Sequence, residues 1–208
     1  GADLVLIETM SDLLEAKAAL LAVREHTGLP AVVTMTFGED GRTFLGVDPA
    51  AAAVTLTALG AAAVGLNCSV GPRELLPALE AMAGATSLPL VIQPNAGLPR
   101  LVDGETVFDV GPGEFARYAR AFLDAGAAML GGCCGTTPEH IRALRRVLDG
   151  RSPSGKRRGG PARCRLCGWQ GVLELEERSI AAVGERINPT GRPKMRDALY
   201  AGEWDYAS

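Results

Sequence analysis

Within its first 150 residues the chain repeats one unit five times: a short apolar run, a loop, then an amphipathic or alanine-rich helix. This alternation constrains the fold most. Continuously apolar strands separated by helices belong to a parallel sheet, each helix serving as a crossover to the next strand. The predicted strands are Leu4–Ile7, Ala31–Thr36, an apolar stretch around Ala61–Leu66, Leu88–Gln93 and Ala127–Leu130. Asp12 and Glu15 have the spacing of a capping box for a helix running to His26, which Gly28 and Pro30 close. Asp48-Pro49, Pro72, Pro112 and Thr137-Pro138-Glu139 open the later helices, the last of which stops near Gly150. Five strands suffice for a doubly wound sheet or for five-eighths of a (β/α)₈ TIM barrel, and in both the chemistry lies at the C-terminal strand ends.

Those ends carry Glu8, Cys68, Asn95, Cys133 and Cys134. The last two sit in Gly131-Gly132-Cys133-Cys134-Gly135, where adjacent side chains of a regular strand would point to opposite faces. Flanking glycines permit the irregular backbone that brings two neighbouring thiolates onto one metal. With Cys68 as a third ligand, a tetrahedral zinc keeps one position open, as catalytic zinc sites do. The same residues also suit a glycine-rich turn with buried thiols or a vicinal disulfide. In a barrel the strand ends converge on one mouth, whereas in an open sheet they spread along a line, so three convergent ligands favour the barrel, here its last five βα units.

A net charge of −3 and 5% aromatic residues point away from nucleic acid. No apolar run is long enough to span a bilayer. Five cysteines, an odd number, fit a reducing, cytoplasmic setting and metal or thiol chemistry better than a disulfide framework. The chain starts at Gly1 and enters a strand almost at once, reading as an excised piece.

From Arg151 to Gly171 the composition turns basic and Gly/Pro-rich, so residues 151–178 read as a linker after a first domain, 1–150. Cys164 and Cys167 have the spacing of half a zinc ribbon or a redox pair, but the second pair of ribbon ligands is missing. Ser179–Val183 resumes a strand, and Gly184–Gly191 begins a new loop, so residues 179–208 read as the first strand and helix of a second barrel.

Val64-Gly65-Leu66-Asn67-Cys68, Gln93-Pro94-Asn95-Ala96-Gly97 and the run from Gly131 to Ile141 resemble, in order, the motifs of the homocysteine S-methyltransferase domain, a zinc-dependent (β/α)₈ barrel. Val183–Gly191 looks like the start of the pterin-binding barrel that follows it in cobalamin-dependent methionine synthases. Free-standing homocysteine methyltransferases using betaine or S-methylmethionine would not carry that tail.

The resemblance implies a fragment of a methionine synthase that transfers a methyl group to homocysteine. Zinc on Cys68, Cys133 and Cys134 would hold the substrate thiolate in its open position. Glu8 would pair with the homocysteine ammonium, and Asn95 would occupy the open zinc position or bond the substrate. Asn188 would belong to the pterin site. Methylcobalamin and methyltetrahydrofolate would be cofactors of the longer parent, with a cobalamin-binding domain or protein presenting the methyl group. A cobalamin-independent homocysteine methyltransferase and a structural or storage zinc-thiolate protein are the alternatives. His26 and His140, at helix termini without a partner motif, read as structural.

Overall fold

Short aliphatic runs build a five-stranded parallel sheet from β1 (Val5–Met10), β2 (Ala31–Met35), β3 (Ala63–Asn67), β4 (Leu90–Gln93) and β7 (Ala127–Leu130). The computed structural model describes residues 1–151, 164–175, 180 and 189–203. Helices α1 (Leu13–His26), α2 (Pro49–Ala58), α3 (Pro72–Ala85), α4 (Pro112–Asp124) and α5 (Pro138–Leu148) alternate with the strands. Asp12 caps α1 by accepting from the Leu14 amide, and Asp48 caps α2 through Ala50 and Ala51. Proline opens four of these helices, where its missing N–H has no intrahelical partner to lose.

The strands lie in chain order, with no reversal along the sheet. Right-handed crossovers then put successive helices on one face, where the core forms. Val33, Met35, Val64, Leu66, Leu90 and Ile92 point that way and pack with Leu20, Leu56, Leu79 and Met82 from the helices. The alternate residues face the other side. On the two edge strands that side leaves Leu6 42% and Met129 43% exposed.

Two hairpins depart from the predicted loops. The long connection after β4 folds as β5 (Pro99–Val102) and β6 (Glu105–Phe108), antiparallel around Asp103-Gly104. Both turn residues have positive φ, 51° and 84°, as a tight hairpin turn requires. The expected linker contains β8 (Cys164–Gly168) and β9 (Gly171–Leu175). Asp48 N–H donates to the Trp169 carbonyl and the Arg165 guanidinium to the Ala85 carbonyl, so these residues belong to the first unit, Gly1–Glu174.

The second unit, Leu175–Ser208, shows a 3₁₀ turn (Pro189–Gly191) and helix α6 (Pro193–Ala201), ended by Gly202 at φ 77°. The strand expected at 179–183, apart from Ile180, and Asn188 lie outside the described residues. No helix among the described residues is long and apolar enough to cross a membrane.

Candidate metal centre

The ends of β3 and β7 bring three thiols into one cluster. The Sγ atoms of Cys68, Cys133 and Cys134 all lie within 4.8 Å of one another, with Cys68 and Cys134 at 3.6 Å. Tetrahedral zinc with bonds of about 2.3 Å sets its sulfurs about 3.8 Å apart. The spacing therefore fits one ion, and soft thiolate donors suit zinc. Among the described residues no further His, Cys, Asp or Glu joins the three, so the set leaves a coordination position open. Cys134 is exposed and the other two are half-buried, so the cluster faces solvent on one side.

Backbone contacts hold the double cysteine in place. Cys133 N–H donates to the Pro94 carbonyl, Cys134 N–H to Asn95 Oδ1 at 3.0 Å, and Ala96 N–H to the Cys134 carbonyl. Asn95 is 4% exposed, and its side-chain oxygen orients Cys134. Of the flanking glycines, Gly135 needs a left-handed backbone (φ 75°), while Gly132 is required by the close approach of Thr136, 2.5 Å from where a Cβ would stand. The Thr136 hydroxyl donates to the Cys133 carbonyl.

Cys68 comes into line differently. It and Ser69 both have left-handed backbones, φ 62° and 67°, a conformation that costs a non-glycine residue about 1–3 kcal/mol. Cys68 N–H donates to the Gln93 carbonyl and Val70 N–H to the Cys68 carbonyl, which closes this turn at the end of β3.

Burial pushes the Cys133 thiol up to about 12, with Cys68 and Cys134 adding to the shift. Contact with Cys68 raises Cys134 as well. Cys133 and Cys134, so close to a third sulfur, resist ionising until a cation compensates the charge.

Glu8 is exposed at the end of β1, in a bulge where the register with β2 shifts between Ile7 and Met10. Its neighbour Thr9 has φ 60° and is tied to Asn67, the residue before Cys68. Asn67 and Thr9 were not singled out from the sequence. An asparagine ending a strand carries no signal of its own, and β-branched Thr9 is an unexpected occupant of the left-handed region. Gln93 Oε1, at the end of β4, is buried and has no hydrogen-bond partner among the described residues.

His140 has a structural place. Its Nδ1 accepts from Thr137 N–H and its Nε2 donates to the Val110 carbonyl, which ties the start of α5 to the base of the β5–β6 hairpin. Cys164 and Cys167 stand three positions apart on strand β8. Such positions lie about 10 Å apart on opposite faces, which prevents both from reaching one ion.

A family model for homocysteine S-methyltransferase matches residues 1–148. The methionine synthase of Mycobacterium leprae is 35% identical over 214 aligned residues, which take in 98% of this chain and 18% of that protein. The methionine synthase of Mycobacterium tuberculosis is 32% identical, with the same coverage. The chain thus spans about a fifth of the length of these relatives. Among solved structures, the apo form of the Escherichia coli homocysteine methyltransferase MmuM superposes with a TM-score of 0.58 at 28% identity, over 71% of this chain and 50% of that one. Its metallated form matches equally well, with a TM-score of 0.58 over 70% of this chain and 45% of that one. Motif order, thiol geometry and these likenesses agree, and the chain belongs to the homocysteine S-methyltransferase family.

Proposed function

We propose that this chain is the zinc-binding part of a methionine synthase, where homocysteine receives a methyl group on sulfur. The observation that carries this reading is the cluster of Cys68, Cys133 and Cys134 sulfurs within 4.8 Å, open on one side. A relative solved in a metallated form supports it. Bound zinc would supply the Lewis acidity that keeps a fourth, substrate sulfur as thiolate at neutral pH. Cys68, Cys133 and Cys134 would contribute the negative charge that leaves that sulfur nucleophilic, and Asn95 holds Cys134 in place through its amide. Glu8 would bind the substrate ammonium. The homocysteine sulfur attacks the methyl carbon, and the methyl–donor electron pair departs with the donor.

In this reading the sheet is a sector of a (β/α)₈ barrel. The sequential parallel order and the exposed Leu6 and Met129 on the two edge strands support it, since further barrel strands would pair those edges. Residues 1–150 form the homocysteine domain, 151–178 the connection and 179–208 the start of a pterin-binding domain that includes Asn188. The resemblance of Val183–Gly191 to the opening of a pterin-binding barrel is what suggests methylcobalamin and methyltetrahydrofolate as cofactors of the whole protein, a cobalamin-binding domain as its methyl-donating partner, and the cytoplasm as its place.

The test is metal analysis and transfer of labelled methyl to homocysteine by the whole protein. Zinc should be bound one per chain and lost on replacing Cys68, Cys133 or Cys134 with Ser; zinc and methionine formation that survive all three replacements refute the reading. Glu8→Ala should keep zinc yet raise the KM for homocysteine at least tenfold, since a charge-assisted contact is worth about 1.5–3 kcal/mol. An unchanged KM removes Glu8 from the site.

A further inference from the structure

One buried side chain ties the end of β3 to β1, to β2 and to the double-cysteine loop. Asn67, 1% exposed, ends β3. Its Oδ1 accepts from Thr9 N–H at 2.9 Å and from the Thr34 hydroxyl at 2.7 Å. Because a backbone N–H can only donate, the oxygen must face Thr9 N, which fixes the orientation of the amide. Nδ2 then donates to Thr9 Oγ1 at 2.7 Å, and Cys133 Sγ stands 4.0 Å from the same nitrogen. The backbone carbonyl of Asn67 accepts from the Thr36 hydroxyl. One amide therefore spans β1, β2 and the double-cysteine loop, and the next residue along the chain is Cys68.

These contacts hold conformations that isolated residues avoid. Thr9 is β-branched yet left-handed, φ 60°, and both its backbone N–H and its hydroxyl are bonded to the Asn67 amide. Thr9 follows Glu8, so fixing its backbone also sets the direction in which the Glu8 Cα–Cβ bond leaves the strand. On the other side, the amide presents N–H to a sulfur, which favours a thiolate there, whereas an oxygen in its place would oppose one. A buried asparagine serving only to satisfy the ends of strands has no need of the Cys133 contact.

We propose that Asn67 is a positioning residue of the thiol site: its amide sets the Glu8–Thr9 bulge and directs an N–H at Cys133, coupling the substrate-ammonium acid to the metal ligands. This rests on the zinc–homocysteine reading above and assigns a residue outside the ligand set. Groups behind metal ligands in this way commonly alter metal affinity about 10–100-fold.

The experiment compares the full chain with Asn67→Asp and Thr34→Val. The Asn67→Asp variant keeps an oxygen for Thr9 N–H and Thr34 but loses both N–H donors. Thr34→Val removes one bond to the same amide and leaves Nδ2 where it is. Zinc affinity is measured by chelator competition, and the cobalt(II)-substituted proteins are compared by their sulfur-to-metal charge-transfer band. Asn67→Asp should weaken zinc about 10–100-fold and shift the band, and Thr34→Val, which spares both Nδ2 contacts, should weaken zinc distinctly less. If Asn67→Asp binds zinc as tightly as wild type with an unshifted band, or if Thr34→Val weakens zinc equally, the assignment is overturned. Should Asn67→Asp fail to fold, wild-type protein loaded with an NMR-active cadmium isotope decides. A scalar coupling between the metal and an Asn67 Nδ2 proton supports the contact, and its absence overturns it. Wild type that binds no zinc refutes the zinc reading and this inference together, whereas zinc-binding wild type with an unaffected variant refutes the role of Asn67 alone.

Discussion

Replacing Gly135 with Ala tests whether the double-cysteine loop is held as the structure shows. Gly135 has φ 75°, and a Cβ there would stand 2.2 Å from Phe108 Cγ and 2.4 Å from Cδ2. Non-bonded carbons rest about 3.5–4.0 Å apart, so the ring must retreat by about 1.3–1.8 Å. Phe108 ends β6 and pairs with Pro99, so its retreat disturbs the hairpin base, where Val110 N–H donates to the Ala96 carbonyl. The left-handed backbone costs an alanine about 1–2 kcal/mol. Overpacking adds about 1–3 kcal/mol, giving about 2–5 kcal/mol in all. Urea unfolding of the metal-free protein would show this as a lower midpoint at unchanged slope. Adding Phe108→Ala removes the clash but not the backbone strain, so the double variant should recover about 1–3 kcal/mol relative to additivity. A loss below about 1 kcal/mol for Gly135→Ala, or strict additivity, would refute the loop geometry.

Replacing Cys164 or Cys167 with Ser should leave zinc content unchanged by metal analysis, because β8 holds the two on opposite faces; zinc loss from either would place a second site on the hairpin. The pH dependence follows from the crowded thiols. Native Cys133 is pushed up to about 12 and Cys134 is raised, whereas unfolded thiols titrate near about 8.5. Above about pH 8.5 the unfolded state releases protons that the native state keeps, so metal-free stability should fall as pH rises toward about 12. Zinc affinity should run the other way and strengthen with pH, since binding displaces those protons. Urea midpoints that stay flat from about pH 8 to 11, or zinc affinity independent of pH, would contradict this account.

Much of the framework was legible before any coordinates. The βα alternation defines a parallel sheet because a continuous apolar run tolerates little else, and Asp48-Pro49 marks a helix start by the bonds its carboxylate can make. Cys133 and Cys134 stood out as adjacent thiols boxed by glycines, and Cys68 and Asn95 through their strand-end positions and the motifs they share with the family. The β5–β6 hairpin was also within reach, since Asp103-Gly104 between β-forming residues is a hairpin turn signal. The β8–β9 hairpin was not, as it owes its place to bonds from Asp48 and Arg165 to partners far away in the chain.

Tertiary structure alone decided how the chemistry is aimed. Asn95 turns its oxygen to Cys134 N–H because β4 and β7 are neighbours in the sheet, a pairing set by register rather than by local pattern. Cys68, Ser69 and Thr9 occupy left-handed conformations against their own preferences, and nothing in their identities announces it. Local propensity reports the conformation a residue adopts when its neighbours are indifferent. At this site the long-range bonds around Asn67 are not, and they hold the backbone in conformations that bring distant strand ends to one ion-sized space.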